Sequence, residues 1–355
     1  MAITPIKIKT VKGERLIGPG NPVFIVAEMS GNHHQSLVKA KEIIRAAAAA
    51  GADAIKIQTY TPDTITIDSD LEYFRIANGS NWSGQTLYQL YQKAYTPWEW
   101  QAELKQLAEQ EGLLFFSTPF DPTAVDFLER INVALYKVAS FEVVDTPLLE
   151  KVGQTGKPAI ISRGMATLAE IETCIETLKN NGCPAVAVLH CVSSYPASLE
   201  EMNLSTIPYI MDQFQVVSGF SDHSLSEVAD ICAVALRASI IEKHLVIARS
   251  EGGPDANFSL EPPEFAAMVK RVREAEMAMG NVSIEPGKNE SKNLIFRKSL
   301  FAVKDIKTGE ALSPENIRSI RPGYGLPPQY YHEVMGKKAK VYIGRGTPLS
   351  RDLIE

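Results

Sequence analysis

Apolar positions in this chain come as short unbroken runs, separated by longer stretches in which apolar residues recur every three or four positions. Eight such runs read as buried strands. They cover residues 22–27, ending at Glu28; 54–57, with Lys56 inside and Gln58 at the end; 113–116, before Ser117-Thr118; and 134–138, carrying Lys137 with Ser140 just beyond. The other four are 158–161, before Ser162-Arg163-Gly164; 185–189, before His190-Cys191; a run from Val216 ending in Ser221-Asp222-His223; and 238–242, before Lys243-His244. Helical periodicity fills 36–50, 97–111, 122–130, 146–155, 167–181 and 261–279, more weakly 200–213, and a small-residue stretch after His223. Ser36 can cap the first helix, Thr167 and Glu170 form a capping-box pair, and Gly51, Gly112 and Gly156 stand where helices end.

Eight strand–helix units in about 260 residues predict an α/β fold, a TIM (β/α)8 barrel rather than an open sheet. Residues 1–20 read as a hairpin closing the barrel floor. One connection, 59–96, is far longer than the rest and holds Tyr60, Tyr73, Phe74, Trp82, Tyr88 and Tyr91. On the catalytic face such a loop is a lid or a binding wall; an oligomer contact is the other reading. Beyond Gly280 the texture changes. Residues 281–293 are polar, and short β-like pieces follow, with KDIKTGE and IGRGTPL as hairpin turns. The predicted organisation is a catalytic barrel over 1–282, a linker over 283–294 and a small β-rich domain over 295–355.

The composition, 45% hydrophobic and 22% charged with a net charge of −6, is that of a globular protein with no nucleic-acid signature. Charge is uneven: 11 Lys/Arg against 6 Asp/Glu over 295–355 give the tail +5 and leave −11 for the rest. A basic tail beside an acidic body suggests contact between them or a shared anionic ligand. The four cysteines, 174, 183, 191 and 232, form no Cys-x-x-Cys pair and read as buried free thiols of a reducing cytoplasm. No signal-peptide pattern appears, and no run reaches the roughly 18 apolar residues that a membrane span needs.

Polar residues gather where the strands end, which is where barrels keep their chemistry. His223 and His244, at the ends of consecutive strands, suggest a metal site with open positions; a lone histidine is more often a satisfied core residue, but two at matching strand ends shift the balance. Lys56 and Lys137 each admit three readings: a fixed cation for phosphate, an imine-forming nucleophile, or a side chain snorkelling to the rim. Two lysines among several hydroxyls favour phosphate. Glu28 and Glu242 read as acid–base groups or as salt-bridge partners of a nearby lysine. His33 and His34 read as substrate contacts or supports behind them, His190 as structural, and Arg163 as an anion ligand or the partner of an acid.

The segments VAEMSGNH, ADAIKIQTYTPD, FSTPFD, LYKVAS, HCVSSYP, GFSDHS, IIEKH and RPGYGL, in this order, resemble the sialic acid synthase family over nearly the whole chain. The last of them lies in what resembles the family's antifreeze-like (SAF) domain. The resemblance implies condensation of phosphoenolpyruvate with an open-chain N-acetylated amino sugar, giving a nonulosonic acid and phosphate. It implies a divalent metal, manganese before magnesium or cobalt, and a domain-swapped homodimer. His223 and His244 resemble the metal ligands. Lys56, Thr118, Lys137, Ser140, Ser193, Tyr195 and Ser221 resemble the residues that hold phosphoenolpyruvate. Glu28, Gln58, Glu242 and Asp255 resemble those at the sugar or the reacting centre, and Arg321 the arginine lent to the partner's sugar. Ser193 stands where the family often has Asn, and Ser162-Arg163-Gly164 where it often has Ser-Thr-Gly. SFE (140–142) and NFSLEPPEF (257–265) are most similar to the branch that makes pseudaminic acid, with Phe141 and the long loop expected to meet the sugar's methyl and acetyl groups. The competing readings are a sister activity on another nonulosonic acid, a lysine-imine pyruvate aldolase acting through Lys137, and an inert barrel bearing a carbohydrate-binding tail.

Overall fold

The computed structural model describes residues 3–77 and 82–355. The chain folds as two compact units, Met1–Gly280 and Asn281–Glu355. In the first, β1 (Ile6–Thr10) and β2 (Gly13–Ile17) pair antiparallel as the expected hairpin. The eight barrel strands are β3 (Phe24–Glu28), β4 (Ala54–Thr59), β5 (Leu114–Pro119), β6 (Tyr136–Val138), β7 (Ala159–Ser162), β8 (Val186–Cys191), β9 (Val217–Asp222) and β10 (Ile240–His244). They close in sequence order, with β10 beside β3 and every pairing parallel.

Helices α1 (Leu37–Ala49), α4 (Trp98–Gln110), α5 (Pro122–Arg130), α6 (Thr146–Gln154), α7 (Leu168–Asn180), α8 (Thr206–Phe214), α9 (Glu227–Ala235) and α10 (Pro262–Met279) connect and surround the strands. Short helices α2 (Pro62–Ile65) and α3 (Leu87–Ala94) lie inside the long connection. Ser36 and the Thr167–Glu170 box cap α1 and α7 as expected. The expected helix over 200–213 is instead a short 3-10 turn, Leu199–Glu201, and then α8; Asn203, at φ 44°, breaks the run between them.

Side chains alternate strictly along each strand. Phe24, Val26, Ala54, Leu114, Phe116, Leu135, Ile160, Leu189, Val217 and Ile240 form an inner core together with Ile6, Ile8 and Ile17 of the hairpin, which therefore plugs the barrel floor. Ile25, Ala27, Ile55, Ile57, Phe115, Tyr136, Ile161, Val188, Phe220 and Ile241 point the other way, into the larger core beneath the helices. Each such side chain, fully buried, contributes roughly 1.5–3 kcal/mol. The inner series continues upward through Glu28, Lys56, Gln58, Thr118, Lys137, Ser162, Cys191, Ser221, Glu242 and His244 by the same two-residue period. Polar residues thus replace apolar ones only in the top layers of the barrel lining.

Three cysteines are buried as expected. Cys232 is exposed: α9 packs Ala229, Ala233 and Val234 inward, and Cys232 falls on its outer face. In the second unit β11 (Ser299–Ala302) and β12 (Ile317–Ile320) pair antiparallel around a core of Leu300, Ile306, Leu312, Ile317, Ile343 and Leu349. KDIKTGE and IGRGTPL do turn, but not as separate hairpins: Ile306 bridges Ile343, so the two segments pair with each other. The polar stretch before β11 includes a 3-10 helix, Glu290–Phe296. Among the described residues no helix is long and apolar enough to cross a membrane.

Candidate active site

The top of the barrel holds a cavity of about 490 Å³. Eleven of the residues singled out from the sequence line it: Glu28, Lys56, Gln58, Lys137, Ser140, Tyr195, Ser221, His223, Glu242, His244 and Asp255. Two others act from behind. The Lys56 ammonium donates to Thr118 Oγ1 at 3.3 Å, and Ser193 Oγ donates to Ser140 Oγ at 2.9 Å. Arg321 is exposed on the second unit.

At the cavity floor two lysines and two carboxylates interlock, all buried. Lys56 Nζ lies 2.8 Å from Glu28 Oε2 and 3.5 Å from Glu242 Oε1. Lys137 Nζ lies 3.8 Å from Glu242 Oε1 and donates to Ser162 Oγ at 2.6 Å. Burial opposes the charge on Glu242, but Lys137 and Lys56 overcome it and hold this carboxyl below its usual range. Glu28 has less help: burial pushes it up to about 7 against the pull of Lys56. Burial lowers Lys137, whereas Glu242 and Glu28 keep Lys56 raised. Glu28 and Glu242 are thus salt-bridge partners of the two lysines, one of the two readings of them. Lys137 is only 2% exposed, which removes the snorkelling reading.

One wall is a hydroxyl cradle. Gly164 sits at φ +47°, where a Cβ would come within 2.3 Å of Ser140 Cβ and 2.7 Å of Ser193 Oγ. Only glycine lets the backbone after β7 approach these hydroxyls. At the rim, Gln58 Nε2 donates to Ser30 Oγ at 3.1 Å, and Ser30 in turn bonds Asp255, whose carboxylate also accepts from the Gly31 amide at 3.3 Å.

His223 and His244 close the side of the mouth formed by β9 and β10, with ring centroids 5.4 Å apart. Tyr195 packs against His223 at 4.4 Å and Phe258 against His244 at 4.9 Å. His223 Nδ1 donates to the Val192 carbonyl at 2.9 Å, which leaves Nε2 as a lone-pair donor. His244 Nδ1 is buried with no hydrogen-bond partner. Burial lowers both imidazoles, so both are neutral. These are not satisfied core histidines. Among the described residues no three His, Cys, Asp or Glu side chains converge as a ligand set. The pair fits a cation that takes its remaining ligands from water and substrate.

Across the mouth, β5 and β6 face β9 and β10, and the wall is apolar: Ile65, Ile76, Leu87, Tyr91, Phe120 and Phe141 line it. The long connection thus lines the cavity, with Tyr60, Trp82 and Tyr91 turned to it and Tyr73 out in solvent. Phe141 is 58% exposed within it.

Several sequence expectations are corrected here. His33 does not reach the cavity; it is buried against Trp100 and bonds Thr96 Oγ1, anchoring the first loop to the end of the long connection. His34 lies away from this cavity, near Glu251. Arg163 does not line the cavity and pairs with no acid. It donates to the neutral His190 Nδ1 at 3.0 and 2.9 Å, and His190 Nε2 bonds the Met202 carbonyl, so His190 is structural as expected. The sequence reading missed Ser30, Ser162, Cys191 and Glu142. Strand parity marks Ser162 and Cys191, each two residues beyond an inward apolar position. Glu142 lines the cavity with its Oε2 buried and unpartnered, and burial raises it to about 7.

The sequence pattern of the NeuB family matches residues 43–283, and that of the SAF domain residues 297–355. The chain belongs to the NeuB family. The family expected from the ordered motifs is therefore the right one, and its two parts, barrel and SAF domain, are both present. Among NeuB relatives, pseudaminic acid synthase of Campylobacter jejuni is 45% identical over 93% of this chain and 96% of its own length. Pseudaminic acid synthase of Helicobacter pylori is 43% identical over 94% of this chain and 98% of its own. A crystal structure of the N-acetylneuraminic acid synthetase of Leptospira borgpetersenii superposes with a TM-score of 0.71 at 34% identity, covering 82% of this chain and 95% of that one.

Proposed function

We propose that this NeuB protein is a pseudaminic acid synthase. It joins phosphoenolpyruvate and water to the open-chain aldehyde of 2,4-diacetamido-2,4,6-trideoxy-L-altrose, releasing pseudaminic acid and phosphate. The observation that carries the proposal is the meeting, in one cavity, of two buried lysines, a hydroxyl cradle and two neutral imidazoles. Likeness to the Campylobacter and Helicobacter synthases over almost their full length selects the sugar.

Phosphoenolpyruvate is close to a trianion, and the two buried lysines are the cations that the cavity floor offers it. His223 and His244 would hold a divalent cation, manganese by preference, which would supply Lewis acidity toward the aldehyde oxygen. The chain's own groups do the rest. Lys56 and Lys137 hold the anion without covalent capture, and Ser140, Ser193 and the Gly164 backbone shape the phosphate end. Gln58, Ser30 and Asp255 present a polar rim to the sugar, and the apolar wall faces its methyl and acetyl groups. The enol carbon attacks the aldehyde carbon; water adds to the former enol-ether carbon, and its C–O bond to phosphate breaks. The departing phosphate needs a proton delivered, and Glu28 and Glu142, held near neutrality, are placed to carry it.

A phosphate-release assay with a panel of amino sugars tests the assignment. The diacetamido-trideoxy-altrose should win in kcat/KM over the precursors of N-acetylneuraminate and legionaminate; a win for either of those would make this the sister enzyme. Run across pH with the best sugar, the same assay should lose rate above about pH 7, because a carboxyl raised to about 7 keeps its proton only below that value. Glu142→Gln should lower the rate below pH 7 and weaken that alkaline limb, leaving the part that Glu28 contributes; a rate and a limb both unchanged in the variant would discard Glu142 as a donor.

The resemblance also supports a homodimer in which Arg321 serves the partner's sugar site, in a reducing cytoplasm suited to four free thiols. Sedimentation at assay concentration should show twice the chain's mass; a monomer with full activity would rule the dimer out.

A further inference from the structure

Behind the imidazole pair, on the outer side of the barrel wall, lies a cluster that the chemistry above does not use. Lys243 on β10 bonds Asp222 on β9 and lies 3.4 Å from Asp230 on α9; all three side chains are fully buried. Lys243 Nζ also reaches the Ser226 carbonyl at 3.4 Å. Asp222 accepts from the Ser224 amide at 2.8 Å and from the Ser224 hydroxyl at 3.1 Å. The carboxylate of Asp222 thus spans His223, tying the residue before it to the residue after it.

The register explains the placement. Lys243 pairs directly with Asp222 across β9 and β10. Each is the immediate chain neighbour of one imidazole-bearing residue, and the two-residue period turns the ions outward and His244 inward. The site side is held separately, by Val192 on His223 and by the Leu260 amide on the His244 carbonyl.

Stability alone does not account for such a cluster. Buried charges lose their hydration, and well-packed apolar residues of similar volume commonly serve a fold as well or better. What charged hydrogen bonds add is direction, and a two-imidazole site needs its rings held to within a fraction of an ångström. Resting on the metal-dependent reaction proposed above, we infer that Lys243, Asp222 and Asp230 are positioning residues that lock the ends of β9 and β10 so that His223 and His244 converge on one cation.

The test is Mn2+ binding by the full-length, chelator-stripped protein, read from the EPR signal of free Mn2+, with unfolding midpoints measured in parallel. The double variant Lys243→Met/Asp230→Leu replaces two of the ions by apolar groups and leaves Asp222 bonded to Ser224. Its Mn2+ Kd, read below its unfolding midpoint, should rise about 10–100-fold, the range for groups that orient metal ligands; the midpoint itself should fall, because Asp222 is left buried with no cation beside it. Asp230→Asn, which keeps the Lys243–Asp222 bond, should show a smaller rise in the same direction and decides the matter if the double variant unfolds early. Wild-type Kd in a folded variant overturns the inference while leaving the metal reading intact. A wild-type protein that leaves the Mn2+ signal untouched overturns both, and the lysine-centred phosphoenolpyruvate site then stands alone.

Discussion

Lys137→Met should cut kcat/KM for phosphoenolpyruvate by roughly two to four orders of magnitude, the equivalent of the about 3–5 kcal/mol lost when one partner of a buried ion pair is removed. Two effects add. The substrate anion loses a buried cation that Ser162 holds in place from 2.6 Å. Glu242 also keeps only Lys56, at 3.5 Å, so the charge it carries rises in energy or takes up a proton. Lys137→Arg should not restore the rate, because a planar fork does not reproduce the compact point charge that bonds Ser162 at 2.6 Å. Steady-state phosphate release measures the loss, and an unfolding midpoint shows that the barrel survives. A variant within tenfold of wild type would remove Lys137 from the anion site. Borohydride added with pyruvate should leave Lys137 unmodified in the wild type; a covalent adduct there would make the protein an imine-forming aldolase instead.

His223→Ala and His244→Ala should each lower kcat by about two to three orders of magnitude while changing phosphoenolpyruvate affinity only a few-fold. A Lewis acid at a developing alkoxide is worth several kcal/mol, each 1.36 of which is tenfold in rate. The anion, by contrast, is held mainly by lysines on β4 and β6, away from β9 and β10 in the ring of strands. Chelation of the wild type should reproduce the loss and Mn2+ should reverse it. In the alanine variants added Mn2+ should restore nothing. Phosphate release that continues unchanged in chelator would show that the imidazoles do not work through a metal.

The barrel was legible because its signal is repetitive: eight apolar runs, each too short for a buried helix, alternating with capped amphipathic stretches. Most of the site was legible for a related reason, since barrels collect polar groups at strand ends and only a polar residue in an apolar run stands out. What failed was local. His33 read as a substrate contact or a support behind one, and its ring is spent anchoring the loop to Thr96. Arg163 looked like an anion ligand, yet β7 turns it outward to His190. Neither partner is near in sequence. Glu142 was passed over because nothing in SFE reveals that one of its oxygens is enclosed without a partner.

The amino-acid order by itself therefore determined the fold class, the two-part organisation, the family and the strand ends at which the polar residues gather, because each is written in local periodicity or in contiguous motifs. Only the tertiary structure decided which of two similar strand lysines faces the cavity. Lys137 and Lys243 both sit inside apolar strand runs and look alike in sequence. One faces the cavity; the other faces α9 and two aspartates. The reason is geometric: a strand buried on both faces gives no amphipathic alternation to tell inside from outside, so the parity that separates cavity from wall is set when the barrel closes.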